Sequence, residues 1–83
     1  MKGKIAFINP NIGWVAIFTT DNSYTVAEVL ESYTPELGEI VTGNLNNLGE
    51  ETLYIESTNE VISVFIQDIY VDRQEAIRQL ASV

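Results

Sequence analysis

Pairs of acidic residues are the feature of this chain most able to do chemistry. The pairs are Glu28 with Glu31, Glu36 with Glu39, and Glu50 with Glu51. Carboxylates can coordinate a hard cation such as Ca²⁺, or divide acid and base roles in a cleft that shifts their pKa values. None of the pairs has the spacing of a known calcium loop. A solvated acidic rim is the favoured interpretation, and a carboxylate-lined cation site is a minor alternative.

Two residue types important for catalysis are missing, because the chain has no histidine and no cysteine. Disulfides and thiolate metal sites are therefore excluded, and so is the side chain that most often serves as a base at neutral pH. No serine or threonine nucleophile can be given an obvious histidine or lysine base. We expect a protein that is not an enzyme, with no catalytic residue, no cofactor and no bound metal.

Charge restricts the partners of the chain. The formal net charge is −8, and no basic residue occurs between Lys4 and Arg73. Such a surface repels nucleic acid and anionic membranes. The first apolar run, Ile5 to Ile8, is too short for a signal peptide, and no run reaches the roughly 18 apolar residues of a membrane span. We expect a cytoplasmic protein that does not associate with membranes.

Short apolar segments separated by turn residues predict a mainly β structure. Five strands are predicted, at Ile5 to Ile8, Trp14 to Thr19, Tyr24 to Val29, Ile40 to Leu45 and Thr52 to Glu56. The first three are joined by short turns and form a meander. Five strands at this spacing favour a small closed barrel.

The last quarter of the chain has a different pattern. The run from Val61 to Ile69 is rich in β-branched residues, which favours a buried strand, although positions 62, 65, 66 and 69 also fit a helical stripe. Asp72 and Glu75 then stand at the spacing of a capping box, and Ala76, Ile77 and Leu80 form one apolar face. An extra strand followed by a short amphipathic helix is predicted here.

The first part of the chain resembles the cold-shock domain, a five-stranded OB-type barrel. The matching segments are Gly3-Lys4-Ile5, Phe7-Ile8-Asn9, Gly13 to Ile17, Asp21 and the strand that begins at Tyr24. The resemblance covers residues 1 to about 58, and residues from Asn59 onward have no counterpart in that family. We expect one domain over residues 1–83, with a cold-shock-like barrel in 1–58 and a strand-plus-helix extension in 59–83.

The resemblance implies a ligand face on which most of the family's binding residues are replaced. In the family, single-stranded nucleic acid lies across the first three strands, where aromatic rings stack on bases and lysines hold the backbone. Phe7 and Trp14 keep a ring at two such positions. Other aromatic, histidine or lysine positions are occupied by Ile8, Ile12, Ala16, Thr25, Ala27 and Glu28. Each lost stack removes about 1 to 3 kcal/mol, so nucleic-acid binding is expected to be weak or lost.

The replacements predict an apolar outward face on the meander. Its members are Phe7, Trp14, Ala16, Phe18, Thr25 and Ala27. Monomeric proteins rarely leave such a patch bare, so either the C-terminal extension or a second copy of the chain should cover it. The expected function is an acidic interaction module that binds a protein partner or a like copy. The alternative is a degenerate cold-shock-like protein that binds single-stranded RNA or DNA weakly through Trp14 and Phe7.

Overall fold

The protein is a closed antiparallel β-barrel with a C-terminal helix. The computed structural model describes residues 1–32 and 35–81. The strands are β1 (Lys2–Asn9), β2 (Trp14–Thr19), β3 (Tyr24–Val29), β4 (Ile40–Thr42), β5 (Gly49–Ile55) and β6 (Glu60–Val71), and the helix is α1 (Arg73–Ala81). The strand order is β1-β2-β3-β6-β5-β4, and β4 pairs with β1 to close the barrel. The predicted mainly β fold with one short helix is confirmed, and it is compatible with an OB-like arrangement.

The ambiguous run from Val61 to Ile69 lies within β6, so the strand prediction is confirmed and the helical alternative is wrong. Ile62, Val64 and Ile66 are buried in the barrel and alternate with outward side chains. This period of two, which β-branched residues suit, distinguishes the strand from a helical stripe. The extra strand lies between β3 and β5 rather than at an edge, so it completes the barrel.

Three predicted strand ends differ most from the structure, and the first of them is the start of β1, at Lys2 instead of Ile5. The fourth strand ends at Thr42 instead of Leu45, and the fifth begins at Gly49 instead of Thr52. At Gly43 the backbone lies so close to β5 that an added Cβ would be 2.9 Å from the Thr52 backbone oxygen. The chain turns after this close approach and buries Leu45 in the barrel core.

The barrel interior is filled by one face of every strand. Its buried members are Ile5, Val15, Ile17, Ala27, Val29, Val41, Leu45, Leu53, Ile55, Ile62, Val64 and Ile66. Burying one such aliphatic side chain contributes roughly 1.5 to 3 kcal/mol. This interior cluster holds the strands in register, and the register decides which side chains face outward.

Three register shifts interrupt the regular pairing of strands on this sheet. The pairing of β1 with β2 shifts at Ala6, between Ile5 opposite Ile17 and Phe7 opposite Ala16. Strict alternation would place Phe7 on the same face as Ile5, and the bulge turns its ring outward instead. The pairing of β3 with β6 shifts twice, once on either side of Val26. The first of these shifts lies near Tyr70, which has a φ of 56° in the left-handed region, and it bends β6 just before the helix.

Helix α1 begins where its sequence predicts. The Asp72 side-chain Oδ1 accepts a 2.8 Å hydrogen bond from the Glu75 backbone N–H, which satisfies one of the free donors at the helix N-terminus. The Glu75 carboxylate in turn accepts hydrogen bonds from the Arg78 guanidinium within the same helix. In the described part of the chain, no helix is long and apolar enough to cross a membrane.

Candidate functional site: the outer face of the meander

The outer face of β1, β2 and β3 is fixed by the pairing of directly opposite residues. Phe7 lies opposite Ala16, which in turn lies opposite Val26. On either side of this row, Trp14 pairs with Glu28 and Phe18 pairs with Tyr24. Directly opposite residues in antiparallel strands project to the same side of the sheet. The structure therefore brings four of the predicted face residues together, namely Phe7, Trp14, Ala16 and Phe18.

The prediction that Thr25 and Ala27 share this face is wrong. They pair with Ile17 and Val15, so they project into the barrel, where both are buried. The Thr25 hydroxyl donates a 2.6 Å hydrogen bond to the Leu45 backbone oxygen. Their neighbours Tyr24 and Val26 take the outward positions that the sequence interpretation missed, because a strand exchanges its two faces when its phase is misread by one residue.

The C-terminal helix lies on this face. Ala76 and Leu80 pack against Ala16 and Val26, and both of these strand residues are 0% exposed. The rings of Phe7 and Trp14 pack against the same cluster and are half-buried. The Asn9 side chain also donates a 2.7 Å hydrogen bond to the Leu80 backbone oxygen. The chain therefore covers the central part of the predicted ligand face with its own helix.

One end of the outer face is left open, and aromatic rings gather there. The centroid of the Tyr24 ring lies 5.9 Å from that of Phe7 and 5.0 Å from that of Phe18. The Arg73 guanidinium carbon lies 5.4 Å from the Phe7 centroid. Phe18 is 38% exposed, and Lys4 lies directly opposite it on β1. The aromatic end therefore carries Phe18, the most exposed ring of this face.

Basic residues are concentrated around the aromatic end. Of the four basic residues in the chain, Lys2 and Lys4 line a groove of about 290 Å³ beside Phe18, and Arg73 lies over Phe7. Lys2 forms an ion pair with Glu56 at 3.2 Å, and both side chains are well exposed to solvent. An exposed pair of this kind contributes little to stability, so Lys2 stays available to a competing anion.

The acidic pairs predicted from sequence do not converge into metal sites. The Glu39 carboxylate accepts a 2.8 Å hydrogen bond from the Glu36 backbone N–H, and that of Glu31 accepts one from the Ser63 N–H. Glu50 and Glu51 are adjacent on β5 and project to opposite faces. Within residues 1–32 and 35–81, no three acidic side chains are placed to hold a metal ion together.

Acidic side chains have two other structural roles: one closes a turn, and several line an open groove. Hydrogen bonds from the Ser23 and Thr19 side chains hold the pKa of Asp21 below its ordinary value, because they favour its charged form. This carboxylate closes the turn between β2 and β3. Elsewhere an open groove of about 770 Å³ is lined by Glu36, Glu39, Glu56 and Glu60, together with apolar and hydroxyl side chains.

The fold and this face define a class of protein, a small closed antiparallel β-barrel whose meander carries a C-terminal helix. Protein-family models, curated proteins and solved structures gave no match to the chain.

Proposed function

We propose that this protein is a non-catalytic, acidic interaction module built on an OB-type, cold-shock-like barrel, and that it binds protein rather than nucleic acid. The observation that carries the proposal is the position of α1. Leu80 and Ala76 occupy the space above Ala16 and Val26, in the middle of the face on which the family resemblance would put a ligand.

Binding of bases at this place would require the helix to leave. Leu80 is 5% exposed, and burial of a leucine side chain contributes roughly 1.5 to 3 kcal/mol, which displacement would lose. In exchange, a base could stack on the half-buried Trp14 ring, which contributes about 1 to 3 kcal/mol to binding. The gain and the loss are similar, and the net charge of −8 opposes the phosphates in addition. A free nucleic-acid face is therefore not favoured.

The proposed partner is a protein, either of another kind or a like copy. The helix packs mainly on the side of the barrel formed by β1, β2 and β3, and exposed apolar side chains remain on β5 and β6. Exposed apolar side chains on the outside of a barrel suit recognition of a protein partner. The cytoplasm, where the chain is expected to reside, would supply such partners.

A second candidate function keeps weak binding of single-stranded RNA or DNA. The observation that favours it is the aromatic end, where the exposed Phe18 lies beside Lys4 and Arg73 lies over Phe7. A ring flanked by cations can stack a base and hold its phosphate. In this version Phe18 would replace Trp14, the residue expected from sequence, as the exposed ring.

Fluorescence anisotropy of a labelled mixed-sequence single-stranded oligonucleotide at low salt tests the two functions. The interaction module predicts no rise in anisotropy when the protein is added in large excess. A rise that disappears as salt is added, and that is also lost in Phe18→Ala, would overturn the proposal in favour of the second candidate. Sedimentation equilibrium of the protein alone then distinguishes a like copy from a different partner.

A further inference from the structure

The outer face of β5 and of the first half of β6 is an exposed sheet surface. The contacts of the helix with β6 lie further along that strand, at Asp68 and Val71. Tyr54 lies directly opposite Val61, and Phe65 follows two outward positions further along β6. Their exposed fractions are 40%, 58% and 42%. We call these three residues the β6 patch. Tyr54 and Val61 adjoin, whereas Phe65 lies roughly 13 Å from Val61 along the strand, with Ser63 between them. The patch therefore has two apolar ends, which one extended segment of a partner can span.

Acidic side chains flank the Phe65 end of the β6 patch on both sides. Phe65 lies directly opposite Glu28 on β3 and directly opposite Glu50 on β5. Directly opposite residues have Cβ atoms about 4.5 to 5.5 Å apart, so each carboxylate can reach the edge of the ring. Within residues 1–32 and 35–81, neither Glu28 nor Glu50 forms an ion pair, because the described ion pairs are Lys2 with Glu56 and Arg78 with Glu75.

We propose that the β6 patch docks an arginine-bearing, basic segment of a partner protein. An arginine side chain lies over the Phe65 ring and donates hydrogen bonds to the Glu28 or Glu50 carboxylate. An apolar residue of the same segment packs on Val61 and Tyr54. This inference rests on the proposed function as a protein-binding module, and it adds the chemistry of the partner.

Charge complementarity selects this occupant over others. A second copy of the chain would bring its own acidic rim against this one, since the chain carries 12 acidic and 4 basic residues. Like charges in contact oppose such a dimer, and nucleic acid is opposed in the same way. Arginine is favoured over lysine because its planar guanidinium stacks on aromatic rings and donates two parallel hydrogen bonds to a carboxylate.

The test is a titration of the ¹⁵N-labelled full chain, followed by amide chemical shifts at low salt. The probes are a short peptide in which arginine and leucine alternate, and its counterpart with lysine in place of arginine. We expect shifts in residues 50–54 and 61–65, and arginine affinity about two- to fivefold above that of lysine. No shifts with the arginine peptide, or equal affinity for both peptides, would overturn the inference.

Three variants sharpen the test. Phe65→Ala should weaken arginine-peptide binding about two- to fivefold. Phe18→Ala removes a similarly exposed ring at the aromatic end and should leave this binding unchanged. If Phe65→Ala is poorly folded, the double variant Glu28→Gln with Glu50→Gln provides the test, because it changes only exposed or half-exposed side chains. It should remove most of the salt dependence of arginine-peptide binding. Shifts confined to the groove of Glu36 and Glu60 would overturn the β6 patch as the site.

Failure of the inference and failure of the proposed function can be told apart. Arginine-peptide binding elsewhere, or none, contradicts the β6 patch alone. Oligonucleotide binding that is lost in Phe18→Ala contradicts the interaction module, whatever the peptides do.

Discussion

The Asn9 side-chain amide donates a 2.7 Å hydrogen bond to the backbone oxygen of Leu80, and this bond joins the end of β1 to the last turn of α1. Carbonyl groups in the last turn of a helix have no partner within the helix. The Oδ1 atom of the same asparagine accepts a 3.1 Å hydrogen bond from the Asn11 backbone N–H. One side chain therefore shapes the turn after β1 and holds the helix on the barrel.

Asn9→Asp should weaken the attachment of α1 to the barrel but preserve the hydrogen bond in the turn after β1. Aspartate retains the oxygen that faces Asn11, but it places a carboxylate against the negative end of the helix where an amide donor had been. We expect the free energy of unfolding to fall by about 1 to 2 kcal/mol and Trp14 emission to shift to the red. Urea denaturation followed by fluorescence measures both effects. Asn46→Asp, in an exposed turn, is the control with the same change in charge.

Leu80→Ala should weaken the packing of α1 on the outer face. Leu80 is buried against the Ala16 and Val26 cluster, and truncation of a buried leucine costs about 2 to 5 kcal/mol. We expect a value near the lower limit, because the helix is at the surface and can readjust. Ile77→Ala on the same helix, where the side chain is more exposed, should cost less in the same urea experiment. Equal losses for the two variants would contradict the packing described here.

The ion pair of Glu75 predicts a dependence on acid pH. Hydrogen bonds from the Arg78 guanidinium and the Gln79 amide lower the pKa of Glu75 to about 2, from an ordinary 4.5. Because the folded-state pKa is depressed, the stabilisation is complete above the unfolded value and is lost as the pH falls through the folded value.

As the pH falls from 4.5 to about 2, the wild type should therefore lose more stability than Glu75→Gln, which has no charge to titrate at this position. The difference should be small, since the pair is at the surface. Melting temperatures across the window provide the measurement. Arg78→Gln should behave like Glu75→Gln, whereas Arg73→Gln, which leaves the pair intact, should follow the wild type.

Thr25→Val tests the inward orientation of β3. The Thr25 hydroxyl donates to the Leu45 backbone oxygen inside the barrel, and valine has the same shape without the donor. Leaving a buried carbonyl without its partner should cost about 1 to 3 kcal/mol of unfolding free energy. Thr52→Val, at an exposed position on β5, should change stability little. No loss in Thr25→Val, measured by urea denaturation, would contradict the described contact.

Sequence patterns predicted the strands and the helix well because each carries a local signal. The bounds of β2 and β3 match their predictions, and β-branching in the run from Val61 to Ile69 correctly favoured a strand. Asp72 at the start of α1 is a capping residue that can be read from its spacing to Glu75. The place of β6 between β3 and β5 could not be read, because it depends on pairing between distant segments.

The phase of β3 was misread for a physical reason. A strand with one wet face alternates apolar with polar residues, and that alternation reports which face is buried. In β3 the helix covers Val26 on one side and the barrel interior covers Ala27 on the other, so both faces are apolar. The bulge at Ala6, which turns the Phe7 ring outward, likewise has no signature in the sequence.

The central position of β6 has a consequence for how the protein is made. During synthesis the meander of β1, β2 and β3 leaves the ribosome first, but its last strand pairs with β6, which ends at Val71. Until that residue has been synthesised, the barrel stays open, and Ala16 and Val26 are not yet covered by the helix. Closure of the barrel is therefore a late, long-range step of folding, and the apolar surface of the meander stays exposed until that step takes place.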